Sequence, residues 1–219
     1  MRKLERSLAS KPKCLKRFND AKHTWNDVKS RDKRTIWNQI NKFQYGLCVY
    51  CESEAVQGVS SGHIEHFYHK GAPQYKYLTF EWNNLFGCCS SNLHCGHFKD
   101  YKVNGVTNYD PNKLIKPDEL DPDIYFQFSQ NGKVIEKSDL AAAELDKAKE
   151  TIRALNLNAP DLVLSRLNQI TLYSNRLIAL ERLVEEHQLD SEEFEVEYQT
   201  IWGDAKSDLY PSSVCQSLF

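Results

Sequence analysis

Two cysteine pairs bracket a run of acid, histidine and amide residues that could activate water. Five of the seven cysteines and five of the seven histidines lie between Cys48 and Lys99. Cys48-Val49-Tyr50-Cys51 forms the first pair, and Cys88, Cys89 and Cys95 supply the second. Two residues between cysteines let both thiolates reach one ion from a tight turn. A lone pair of this kind is weak, but a second pair further along points to a four-ligand zinc site. Cys89 and Cys95 are the expected partners, with Cys88 competing for the third position and His94 for the fourth. Four thiolates leave Zn²⁺ no open position, so the ion would fold the segment rather than react. Cys14 and Cys215 stand apart and are read as non-ligands.

Glu65-His66 falls between the two half-sites. Breaking a phosphodiester takes a base for water and a cation to stabilise charge on the phosphorus oxygens and the leaving oxygen. Histidine titrates near neutrality and suits the base. The adjoining carboxylate can hold a divalent ion. Asn84 can orient a loop or an imidazole, His97 can ligate a metal close to Cys95, and Lys99 can meet a phosphate oxygen. His63 and His69 flank the pair as extra ligands or substrate contacts.

These side chains need a frame, and the chain divides into three stretches. Residues 1–44 read as a basic arm with a helix over about 20–44, burying Ile36, Ile40 and Phe43 and stopped by a left-handed Gly46. Residues 45–120 read as the metal-bound module. It is poor in apolar periodicity and needs a staple. Gly58, Gly62 and Gly71 predict a short hairpin and a loop, and residues 93–101 the start of a short helix. Residues 121–219 open on a hairpin, because Asn131-Gly132 fits a type I′ turn between two apolar runs. Helical spacing then follows at Leu145, Ala148, Ile152 and Leu155. Pro160 predicts the first turn of a long helix, and Asp190-Ser191-Glu192-Glu193 a capping box opening another. The expected fold is mainly α, with a small α+β zinc-stapled module and a helical C-terminal half.

No apolar run approaches membrane-spanning length, and the basic N-terminus lacks the apolar stretch of a signal peptide. The cytoplasm is therefore expected, where cysteines stay thiols or metal ligands. The net charge of −2 hides an asymmetry. Residues 1–42 hold 13 Lys/Arg against 4 Asp/Glu, a net of +9 that leaves −11 for the rest. The arm suits a polyanion such as nucleic acid, whereas the acidic remainder suits a solvated or protein-facing surface.

The order of Glu65-His66, Asn84 and His97 between cysteine pairs resembles the HNH endonucleases of the ββα-metal class. That resemblance implies a hairpin carrying the acid and the His, a loop carrying the Asn, and a short helix carrying the last His. It gives Glu65 and His97 to a catalytic Mg²⁺ or Mn²⁺, His66 the role of general base, Asn84 the central amide position, and Lys99 a substrate phosphate. Met1-Arg2-Lys3-Leu4-Glu5-Arg6, Tyr45-Gly46-Leu47-Cys48, Ile64-Glu65-His66-Phe67 and Leu155-Asn156-Leu157-Asn158 are similar to a narrower group. This is the PtuB-like HNH component of Septu-type and retron-associated antiphage systems. The implied partners are nucleic acid, DNA before RNA, and an ABC-type ATPase in an oligomeric complex. His69 stands where that group usually has proline. The competing expectations are an RNA- or tRNA-cleaving nuclease, and a non-catalytic zinc-stapled nucleic-acid binder or adaptor.

Overall fold

A computed structural model describes residues 1–57, 62–100, 109–186 and 188–219. Helix α1 (Ser30–Gln44) buries Ile36, Trp37, Ile40 and Phe43 along one face. It starts later than its apolar spacing suggests. Upstream, Thr24 and Asp27 close a separate turn, Trp25–Asp27, in which Asp27 accepts from the Thr24 amide and hydroxyl. The helix stops over two left-handed residues, Tyr45 (φ 56°) and Gly46 (φ 77°).

Among the described residues the expected short hairpin does not form around Gly62 and Gly71, and Gly58 lies outside them. Strand β1 (Gly62–His66) pairs instead with the distant β2 (Leu85–Cys89), antiparallel, with Gly62 opposite Cys89 and His66 opposite Leu85. Long-range pairing wins because β2 is buried along its whole length. The Gln44 side chain from α1 reinforces it. Its amide donates to Gly87 O at 2.9 Å while its Oε1 accepts from Gly87 N at 2.9 Å. Helix α2 (Cys95–Asp100) follows, so strand, strand and helix succeed one another across the cysteine-rich segment. Tyr101, the last residue of the stretch expected to start that helix, is outside the described residues.

The short helix α3 (Pro122–Tyr125) leads into the second sheet, β3 (Phe126–Phe128) with β4 (Val134–Glu136). Its turn is not type I′, since only Gly132 is left-handed (φ 81°). The five-residue loop is closed by Ser129 N donating to Lys133 O, and one glycine suffices for a turn with a bulge. A Cβ at Gly132 would also overlap the Val163 carbonyl. Helices α4 (Ala142–Ala154), α5 (Pro160–Glu185) and α6 (Ser191–Ser207) arise where periodicity places them, with Pro160 in the first turn of α5 and the Asp190–Glu193 capping box on α6. Helix α7 (Pro211–Leu218) was not anticipated.

One apolar cluster runs through all three expected stretches, from Met1 and Leu4 through Ile36, Phe86 and Ile115 to Leu162 and Tyr210. Arg6 helps fasten the arm to the module. Its guanidinium packs on Phe43, Trp82 and Phe86, donates to Trp82 O and Leu85 O, and pairs with Asp118 at 2.6 Å. A second cluster joins the later turns of α5 to α6 and α7. Among the described residues no helix is long and apolar enough to cross a membrane.

Candidate functional site

Cys48 and Cys51 lie just after α1, Cys89 ends β2, and Cys95 opens α2. Their four sulfurs lie within 4.8 Å of one another and are all buried. A zinc ion with Zn–S bonds of about 2.3 Å at tetrahedral angles holds its sulfurs about 3.8 Å apart, and Cys51 and Cys89 stand at 3.8 Å. The cluster can therefore hold a metal ion such as zinc. Cys88 stands outside this group of four. Its sulfur is 3.7 Å from Cys48 Sγ and accepts from Gly96 N at 3.4 Å. His94 flanks the cluster, with Nδ1 3.1 Å from Cys95 Sγ and Nε2 3.6 Å from Asp161.

The Leu155–Asn158 element holds this half-site in place. Cys95 adopts a left-handed backbone (φ 63°) and donates to Leu155 O at 2.8 Å. Asn156 donates to Leu93 O, and Asn158 bonds both backbone groups of Val134. Buried Arg166 donates to Leu157 O at 2.7 Å and ties the element to α5.

Between the cysteine half-sites, β1, β2 and α2 gather a second cluster. His63 and His97 stack with ring centroids 4.1 Å apart, and His63 Nε2 is 3.4 Å from Glu65 Oε2. The other carboxylate oxygen, Oε1, accepts from Tyr50 OH at 3.1 Å and pairs with Lys99 Nζ at 3.0 Å. Burial would raise the Glu65 carboxyl, but Lys99 and His63 hold it well below the usual carboxylate range. Glu65 is thus a fixed anion whose Oε2 faces the His63 imidazole, on which His97 stacks.

Lys99 is a correction to the sequence reading. Its side chain is 0 % exposed and cannot meet a phosphate from solvent. It donates to His66 O and Phe67 O and pairs with Asp100 at 2.7 Å. Glu65 and Asp100 raise its affinity for the proton against the effect of burial. It organises the end of β1 from inside.

Gly96 makes room for this arrangement, because a Cβ there would overlap the Glu65 carboxylate. Gly96→Ala is expected to displace Glu65 from Lys99 and cost about 1–3 kcal/mol, as overpacking typically does. Urea denaturation measures it.

His66 is not brought to the His63–Glu65–His97 cluster. It adjoins Glu65, and successive strand residues point to opposite faces. Its ring is buried and meets Trp25 edge to face at 4.4 Å. Burial, helped by the charge of Lys70, lowers its pKa to about 3, so the ring is neutral. Nε2 lies 3.1 Å from Thr79 O, and a carbonyl can only accept, so Nε2 carries the proton. Nδ1 therefore carries the lone pair, and it has no hydrogen-bond partner.

Asn84 fixes both sides of this arrangement. Its Oδ1 accepts from Tyr68 N at 2.7 Å, and its Nδ2 donates to Tyr68 O and Leu78 O. Those residues lie just beyond His66 and just before Thr79. Asn84→Ala is expected to leave three backbone groups without these partners and to cost about 2–4 kcal/mol. Chemical unfolding checks the loss, and slower amide exchange at Tyr68 than wild type would contradict it.

Sequence reasoning underweighted His63, although its position two residues before Glu65 puts both on one strand face. It missed Trp25 and Thr79, which no local motif marks. Compared with known proteins, the chain matches no family model and no curated sequence.

Proposed function

We propose that this protein is a metal-dependent endonuclease of the HNH kind, hydrolysing phosphodiester bonds of nucleic acid. The observation that supports it best is the state of His66. Its proton is on Nε2, held by Thr79 O, and its lone pair is on Nδ1 without a partner. That is the tautomer a general base for water needs. Burial holds its pKa at about 3 and shields Nδ1, so it acts once Trp25 moves off the ring and solvent restores its basicity.

The strand–strand–helix order, with Asn84 bracing the loop, supports the same reading. Glu65 Oε2, His97 and His63 are the residues that would hold Mg²⁺ or Mn²⁺. Adjacent ligands of an octahedral ion at about 2.1 Å lie roughly 3.0 Å apart, so the 3.4 Å between His63 and Glu65 would close by a few tenths of an ångström on binding. When bound, the ion would stabilise negative charge on the phosphate and the leaving oxygen. The chain's own part is to keep Glu65 ionised through Lys99, to hold the His66 tautomer through Thr79, and to receive a proton at Nδ1. The phosphate would sit at the end of β1, between the two faces, with Trp25 drawn off His66. The basic arm adds phosphate affinity, so binding should weaken with salt.

The defence setting and the ABC-type ATPase partner belong to this proposal. Exposed Leu164, Leu172, Ile178 and Val196 on α5 and α6 are available for protein docking. Incubating purified protein and its His66→Ala variant with Mg²⁺ or Mn²⁺ and plasmid DNA or total RNA tests the chemistry. Cleavage that survives in the variant would remove His66 from the role of base.

A further inference from the structure

We infer that the cavity beside His66 is a subsite for an unpaired nucleotide of the strand being cut. The inference deepens the nuclease reading and rests on it. A cavity of about 240 Å³ opens between the Trp25 turn and the segment from Lys70 to Thr79. It is smaller than the roughly 300–1,000 Å³ of pockets for drug-sized ligands. It is also concave, whereas a duplex is read by a helix or ribbon inserted into its groove. A single unstacked nucleotide is the part of a nucleic acid that fits.

The walls carry the matching chemistry. Lys70 and Lys76 line the cavity, and neither has a carboxylate within ion-pair distance among the described residues. Asp27, the acid of the neighbouring turn, is engaged by Thr24. Two uncommitted ammonium groups suit a phosphate. Trp25 supplies an aromatic wall, backed by Phe80, which itself stacks on Phe18 at 5.2 Å. Rings of this kind bind bases of any identity. Trp25 touches the His66 ring, and Thr79, which holds His66, also lines the cavity. A nucleotide seated here neighbours the phosphate that His66 would serve.

Two experiments test this. In the first, tryptophan fluorescence is titrated with a nucleoside 5′-monophosphate and, separately, with inorganic phosphate, in wild type and Trp25→Phe. The difference isolates Trp25 from Trp37, Trp82 and Trp202. The nucleotide is expected to quench the Trp25 signal and phosphate to bind without quenching. The double variant Lys70→Gln/Lys76→Gln should weaken nucleotide binding about tenfold. Quenching by phosphate as strong as by nucleotide, or none by either, overturns the subsite.

In the second, matched ribose and deoxyribose oligonucleotides are offered as single strands, bulged duplexes and continuous duplexes. Unpaired substrates should be cut preferentially, and Trp25→Ala should reduce that preference about ten- to a hundredfold, chiefly through KM. The lysine double variant carries the test if Trp25→Ala fails to fold. Equal cutting of single strand and continuous duplex, unchanged in these variants, overturns the subsite and leaves the nuclease reading standing. Quenching without cleavage of any strand leaves a nucleotide site in this cavity but overturns the nuclease reading and, with it, the assignment of that site to a strand being cut.

Discussion

Stripping the metal, by strong chelation or by Cys51→Ser, is expected to unfold the segment from Cys48 to Asp100 and to take the stability of the core with it. Purified protein should carry about one zinc per chain. The four clustered sulfurs come from three separate places, the loop after α1, the end of β2 and the start of α2. Without an ion they are a cluster of buried thiols whose segments are joined through backbone bonds such as Val49 N to Gly87 O and Cys95 N to Leu155 O. Burial opposes ionisation of Cys48, but thiol donors from Cys51, Cys88, Cys89 and Cys95 pull it well below its ordinary value. Cys51 is lowered too, to about 6, whereas Cys89 is raised by hydrogen bonds to its sulfur neighbours and Cys95 by burial, so a cation must displace the protons of those two. Structural zinc contributes on the order of 10–16 kcal/mol of apparent binding free energy, against about 5–15 kcal/mol for the whole stability of a typical domain.

Metal analysis with thermal unfolding checks this, and Cys88→Ala supplies the internal control. Standing outside the group of four, Cys88 should cost about 1 kcal/mol for its small cavity and leave zinc content intact. Cys89→Ala should lose the metal. The reverse outcome would move the third ligand to Cys88.

The second large effect is at His66. Replacing it with Ala or Gln should lower cleavage about 10²- to 10⁴-fold, the usual contribution of a positioned base. Zinc content should stay unchanged. Because the ring is buried against Trp25, Ala also opens a cavity and should lower stability measurably. His66→Gln fills more of that space and retains an amide donor for Thr79, so it separates loss of the base from loss of packing. Both variants inactive, with only Ala strongly destabilised, is the pattern a base produces. If Gln keeps activity, the role of His66 is structural.

Much of the frame was legible because it is encoded locally. The Asp190–Glu193 capping box and the apolar spacing of α4 and α5 each act within a few turns of chain. Helix α7 has Pro211 in its first turn and an apolar face, but its eight residues are too few to repeat a helical period, and packing on α5 and α6 holds it. The Asn131-Gly132 signal located the second hairpin but not its turn, because α5 presses the Val163 carbonyl against Gly132.

The sequence by itself determined the two cysteine half-sites, the acid–histidine pair between them, the amide at position 84 and the helical C-terminal half. Each is a matter of residue type and near-neighbour spacing, which sets what chemistry a segment can offer. Only the tertiary structure decided that Cys89 rather than Cys88 joins the four sulfurs, since that depends on how the end of β2 meets two other segments. It alone placed Lys99 inside, because a lysine is kept buried only when carboxylates from other parts of the chain, here Glu65 beside its own neighbour Asp100, converge on it. It alone gave His66 its tautomer and its cover, supplied by Thr79 and Trp25 from opposite sides in sequence. Those contacts join residues far apart along the chain, and no short-range pattern can specify which distant partner arrives.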